Sequence, residues 1–176
     1  MTAVTCTVAP QQPPPPSLSR TALRDVLGRY ASGLTVVTGL DDEGPVGFTC
    51  QSFHSVSLEP PLVSITVQRT SASYPRIRRT GSFTVNVLSG AQQAIADQFG
   101  RSGVDRWAGI RWLPTAADNP SLEGSLAWID CEIVAEHEAG DHVIVVGRIT
   151  GISPVAADDH DPLVYYRSRY RRLTAD

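Results

Sequence analysis

In the segment SLSRTALRDVLGRYASG the apolar residues Leu23, Val26, Leu27 and Tyr30 fall at i, i+3, i+4 and i+7, a spacing that predicts one amphipathic helix. Ser19 is placed to cap its start, and Gly33 lies past its end. The period then shortens. LTVVTGL (34–40) and PVGFTCQSF (45–53), separated by the polar turn DDEG, read as a β-hairpin. LVSITVQ (62–68) and SFTVNVL (82–88) are further strands, separated by the basic turn-helix SASYPRIRRTG.

A second short helix is expected over AQQAIADQFGR, with Ala91, Ile95 and Phe99 along one side. An irregular stretch with Trp107, Trp112 and Pro114 leads to the longest β-signal, SLAWIDCEIVAEHEAG. There Ile129, Cys131, Ile133 and Ala135 alternate with Asp130, Glu132 and Glu136, the pattern of a strand with one buried face. GDHVIVVGRITGIS turns back from it around Gly140 and Asp141. Six or seven strands with short turns, two or three helices and no βαβ alternation point to an antiparallel barrel with peripheral helices, since closure removes edge strands.

Composition refines this picture. Residues 1–16 end in PQQPPPP and are read as a disordered arm outside the fold, leaving 17–176 as a single domain. The 176 residues suffice to bury roughly 70% of the unfolded chain's surface, so no metal or disulfide is needed for stability. A formal charge of −3 gives no bias toward nucleic acid or membrane. All fifteen basic residues are arginine, a mark of codon usage rather than chemistry. Three separated cysteines, Cys6, Cys50 and Cys131, suggest neither a disulfide framework nor a zinc site, and they fit a reducing cytoplasm. No apolar run is long enough to span a membrane, and the N-terminus lacks the features of a signal peptide.

Familiar catalytic signatures are missing. His54, His137, His142 and His160 are isolated, and DDHD (158–161) reads as a solvated loop rather than a metal site. There is no nucleophile elbow and no glycine fingerprint of a dinucleotide fold. The unusual stretch is GFTCQSFHSVSLEPP (47–61), which starts as a strand and continues in hydroxyl, thiol and amide side chains. Its closely spaced backbone N–H groups and hydroxyls suit an anion or the polar edge of a flat ring; a serine-rich turn bonding to its own backbone is the alternative.

YASGLTVVT, GFTCQSFHSVSLEPPLVSITV, GSFTVNVL, AGDHVIVVG and PLVYYRSRY occur in the order and spacing of the flavin reductase-like proteins, the reductase components of two-component flavin-dependent monooxygenases. The chain resembles that family from Leu23 to about Leu173. The resemblance implies a mainly β, flavin-binding split β-barrel that forms a homodimer, with flavin near the dimer interface. By position, Thr49, Cys50, Gln51 and Ser52 would face the ring and ribityl chain, and Ser55 and Ser57 the phosphate. Ser71, Ala72 and Ser73 would close over the flavin, with Asn86 and Arg106 as further candidates. His142, in the GDH segment, would sit beside the hydride-transfer site; Tyr166 and Arg167 would help hold the pyridine nucleotide.

Cys50, Gln51, Glu59 and Ser168 depart from the commoner family pattern. Cys50 has no partner cysteine or neighbouring base in sequence and reads as a packed small residue. The expected activity is an NAD(P)H:flavin oxidoreductase, with NADH and FAD favoured over NADPH and FMN, that supplies free reduced flavin to a partner monooxygenase. Two alternatives stay open: a flavoenzyme that keeps its flavin and reduces another acceptor, and a split-barrel module that only binds flavin or haem.

Overall fold

A computed structural model of the chain describes residues 18–154 and 160–173. The polyproline arm, Cys6, and Asp158 and Asp159 of the DDHD loop lie outside the described residues. In chain order the elements are α1 (Arg20–Leu27), β1 (Ser32–Gly33), β2 (Thr35–Asp41), β3 (Gly44–Cys50), β4 (His54–Leu58), β5 (Pro61–Gln68), α2 (Tyr74–Thr80) and β6 (Ser82–Val87). A 3₁₀ turn (Gly90–Gln92), α3 (Gln93–Gly100), β7 (Trp112–Pro114), β8 (Pro120–Leu122), β9 (Ala127–Ala139), β10 (His142–Ile152), β11 (Val164–Tyr166) and β12 (Arg169–Arg171) follow.

Seven strands form the main sheet in the order β3-β2-β6-β9-β10-β5-β4. Every pairing within it is antiparallel. The edge strands β3 and β4 are joined by Gln51–Phe53 alone. From Cys50 to His54 an extended chain reaches about 14 Å, whereas the edges of a flat seven-stranded sheet stand about 29 Å apart. The sheet therefore curls enough to bring the end of β3 within reach of the start of β4.

The core reflects that rolling. Val46 of β3, Val37 of β2, Phe83 of β6, Val145 of β10 and Ile65 of β5 meet in one buried cluster. Val36, adjacent to Val37 and so on the opposite face of β2, joins Leu88, Phe99 and Leu163 in a second cluster. Strand β2 is thus buried on both faces. Gly147 on β10 is required by close packing, since a Cβ there would lie 2.6 Å from the Phe83 ring.

The structure corrects several expectations. Helix α1 is capped by Ser19, whose Oγ accepts the Ala22 N–H at 3.2 Å, but it ends at Gly28 rather than running toward Gly33. None of its residues is buried, so its apolar stripe faces solvent in the single chain. On α3 it is Ala96 and Phe99 that are buried, while Ala91 is exposed. Asp130, expected on the polar face of β9, is 1% exposed. Its Oδ1 accepts from the Thr84 and Thr115 hydroxyls because a second layer covers that face of the strand. The hydroxyl-rich run His54–Leu58 is a strand, paired with β5.

Candidate functional site

Among the described residues, strand β3 has β2 on one side and no strand on the other, so alternate N–H and C=O groups along its free edge lack a ladder partner. A cleft of about 970 Å³ opens there. Its walls are β3 from Pro45 to Cys50 with Gln51 and Ser52 beyond it, the end of β5 at Thr66–Gln68, the approach to α2 at Thr70–Ser73, Gly100 and Ser102–Trp107, and His142. That volume lies at the upper end of the usual range for small-molecule sites.

Thr49, Cys50, Gln51, Ser52, Ser71, Ala72, Ser73, Arg106 and His142 all line this cleft. Several hydroxyls already serve the protein. Thr49 Oγ1 donates to the Ala96 carbonyl at 2.6 Å, Ser52 Oγ to the Thr66 carbonyl at 3.0 Å, and Ser73 Oγ to the Gly47 carbonyl at 3.1 Å. The hydroxyl protons of these three are committed within the protein, which leaves them lone pairs and backbone groups rather than hydroxyl donors. Donors of stronger character come from Arg106, Arg76, Gln51 and His142. Cys50 is buried, its Sγ 3.3 Å from Ser52 Oγ, and burial raises its thiol above the ordinary value. It remains a neutral packing group.

His142 opens β10 opposite Gln68. Its Nδ1 lies 2.7 Å from Asp141 Oδ1, and that contact holds the Asp141 carboxyl below its ordinary value. With Asp141 ionised, Nδ1 carries the proton and Nε2 is the ring nitrogen left for other partners.

Five expected residues lie outside the cleft lining. Beyond Ser52 the chain crosses to the opposite sheet edge, where Ser55 pairs with Val63 and Ser57 with Leu62. Asn86 is fully buried; its amide donates to Val36 O at 3.2 Å and Thr38 Oγ1 at 3.0 Å, and its carbonyl accepts the Leu122 N–H at 2.8 Å. It fastens β8 across β2 and β6. Tyr166 ends β11 in a separate three-stranded sheet, and Arg167 sits in the β11–β12 turn with its N–H on the Gly28 carbonyl at 2.9 Å.

Sequence reading missed Arg76, the Ser102–Asp105 wall and Trp107. Arg76 forms a two-point ion pair with Asp41 on the β2–β3 hairpin, with Nε to Oδ2 at 2.9 Å, and also donates to the Gly44 carbonyl at 2.8 Å. Trp107 packs edge-on against Phe99 with ring centroids 5.0 Å apart. The segment carrying these wall residues has no hydrophobic period from which its place could be read.

The profile of the flavin reductase like domain matches residues 27–174. The reductase subunit HsaB of a flavin-dependent monooxygenase from Mycobacterium tuberculosis H37Rv is 44% identical over 147 residues, 84% of this chain and 79% of that protein. Among solved structures, a nitrilotriacetate monooxygenase component B homologue from Mycobacterium thermoresistibile superimposes with a TM-score of 0.85 at 39% identity, covering 88% of this chain and 87% of that one. The NADH:FAD oxidoreductase SgcE6 of Streptomyces globisporus, solved with NAD and FAD fragments, superimposes with a TM-score of 0.83 at 33% identity, over 89% and 94% of the two chains.

Proposed function

Since the chain belongs to the flavin reductase-like family, we propose that it is an NAD(P)H:flavin oxidoreductase whose cleft along β3 takes the flavin and which passes reduced flavin to a separate monooxygenase. One observation carries the assignment of the site: the open backbone edge of β3 and His142 bound the same cleft. An isoalloxazine has a flat apolar body and a polar rim, and the cleft offers both kinds of surface. Phe48 and Trp107 supply apolar wall, and Gln51, Ser71 and Arg106 supply polar groups.

When bound, the cofactors supply the chemistry, a hydride moving from nicotinamide C4 to flavin N5. The chain's own task is placement. Backbone N–H groups near Gln51 and Ser52 are suited to stabilise negative charge on a reduced ring. His142 holds the nicotinamide side, oriented by Asp141. No nucleophile or strong base is required of the protein.

NADH is the preferred donor in this reading, because ionised Asp141 beside His142 disfavours the extra phosphate of NADPH. FAD is the preferred flavin, as in the NADH:FAD oxidoreductase relative. The rolled sheet is read as a split β-barrel, supported by the short Gln51–Phe53 link between its edges. A homodimer is supported by α1, an eight-residue helix with no buried residue, too short to persist on its own propensity. Exposed Val56 and Leu58 on edge strand β4 point the same way. Among the described residues no helix is long and apolar enough to cross a membrane. The cytoplasm is the assigned compartment, consistent with free, buried Cys50 and Cys131.

Steady-state oxidation of NADH and NADPH by purified protein, with FAD or FMN added singly, tests the reading. NADH oxidation that depends on added flavin is expected. No oxidation in any of the four combinations would overturn it.

A further inference from the structure

Between α3 and β7, the wall segment Arg101–Ile110 has little backbone bonding of its own. Arg101 N–H reaches the Gln98 carbonyl at 3.4 Å, and Ile110 N–H reaches the Trp107 carbonyl at 3.0 Å. Side chains hold the segment instead. Gln98 Nε2 donates to the carbonyls of Arg106 at 3.0 Å and Ala108 at 2.9 Å. Gly103 and Gly109, with φ of +74° and +73°, place bends on either side of Arg106 that other residues adopt at a cost.

Among the described residues, Arg106 is the side chain of this segment that bonds across to the other walls. Its Nη1 donates to the Gly47 carbonyl on β3 at 3.0 Å and to Ser73 Oγ at 2.6 Å, and Ser73 Oγ donates to the same carbonyl at 3.1 Å. Its Nε donates to the Arg101 carbonyl at 2.9 Å, tying the bridge to the base of its own segment. Two corners of this triangle are rigid. Ser73 is buried, and Gly47 is packed so closely that a Cβ would lie 2.9 Å from the Phe99 ring. The third corner is the glycine-flanked segment, which Gln98 and the Trp107–Phe99 packing anchor on its far side and Arg106 alone ties to β3 and Ser73.

We propose that Arg106 is a positioning residue that sets how long flavin stays: its bridge to Gly47 and Ser73 holds the 101–110 wall against the cleft, and opening that bridge lets flavin enter and leave. The inference rests on the cleft being the flavin site. It gives a reductase that surrenders its product a wall tied across the cleft by one side chain rather than by a ladder. A lysine does not replace the arginine, because the bridge needs several donors at fixed angles from one planar group.

The test follows release of FAD and of FMN from the full chain by stopped-flow fluorescence, with nicotinamide KM measured at saturating flavin. Arg106→Ala is expected to speed flavin release about tenfold, with nicotinamide KM unchanged, and Arg106→Lys to behave like it. Ser73→Ala, which removes one corner from the opposite wall, gives a smaller change of the same sign. The double variant releases flavin no faster than Arg106→Ala alone, since both break one triangle. Release at the wild-type rate in all three single variants overturns the proposal. So does a rise in flavin release matched by an equal rise in nicotinamide KM, which marks general loosening of the fold. Ala72→Trp, which fills the same cleft, separates the two levels. If it leaves flavin affinity unchanged, flavin binds elsewhere and both readings fall. If it blocks flavin while the bridge variants release normally, the bridge alone falls.

Discussion

Ser52 bonds twice to Thr66: its Oγ accepts the Thr66 N–H at 2.8 Å and donates to the Thr66 carbonyl at 3.0 Å. A side chain in the link between β3 and β4 thereby takes the place of a ladder rung on β5. The same residue lines the cleft, so the bond that extends the β4–β5 pairing also fixes one wall of the cleft.

Replacing Ser52 by alanine leaves both Thr66 backbone groups short of a partner in a half-buried position. The expected loss is about 1–2 kcal/mol of unfolding free energy, read from urea denaturation midpoints, with weaker flavin binding. Unchanged stability would show that water substitutes freely for the hydroxyl.

His142→Ala removes the ring proposed for the nicotinamide side while leaving the β3 edge intact. Nicotinamide KM is expected to rise about tenfold or more, the loss of one well-placed polar contact, with flavin Kd within about twofold. Fluorescence titration and steady-state kinetics separate the two. Equal loss of both would place His142 in support of the whole cleft.

Arg167 and Ser168 have φ of 52° and 58°, the left-handed region, in the two-residue turn joining β11 to β12. Glycine occupies that region without the Cβ penalty. Ser168→Gly is therefore expected to stabilise the protein by about 1 kcal/mol, seen as a melting temperature raised by about 2–4 °C. A lower melting temperature would mean that the serine side chain compensates.

Asp41 accepts from Arg76 at 2.9 Å and Arg79 at 2.9 Å, and the Arg76 bond foremost holds its carboxyl well below the ordinary value of 3.8. A depressed carboxyl stabilises the fold above its unfolded value, and that contribution is lost as pH falls through the folded value. Wild type should lose stability from about pH 4 downward, and Asp41→Asn should be less stable at pH 7 with a flatter decline in acid. Parallel pH profiles in thermal melts would show that Asp41 is not among the groups responsible.

How far the sequence revealed the fold depends on what each signal reports. Period and caps located the main-sheet strands other than β4 and placed Ser19 at the start of α1. Periodicity identifies an apolar face without saying what covers it, which is why Leu23, Val26 and Leu27 are exposed against expectation. Asp130 alternates as a polar residue should, but the layer that buries it comes from segments distant in sequence.

The site divides in the same way. Thr49–Ser52, Ser71–Ser73, Arg106 and His142 converge although they come from separate parts of the chain. Ser55 and Ser57 look equivalent to Ser52 in sequence, yet the chain crosses to the other sheet edge between them. Asn86 carries the chemistry of a ligand contact but spends all of it joining β2, β6 and β8. A local string cannot separate those uses, because both place a polar group beside a strand.

A reductase that feeds a separate monooxygenase must reduce flavin and then let it go. Anaerobic mixing of a trace of purified protein with excess NADH and a hundredfold excess of FAD over protein, followed by flavin absorbance, tests it most directly. All of the FAD is expected to bleach over many turnovers. Bleaching that stops at one equivalent per protein chain, or does not begin, would contradict it.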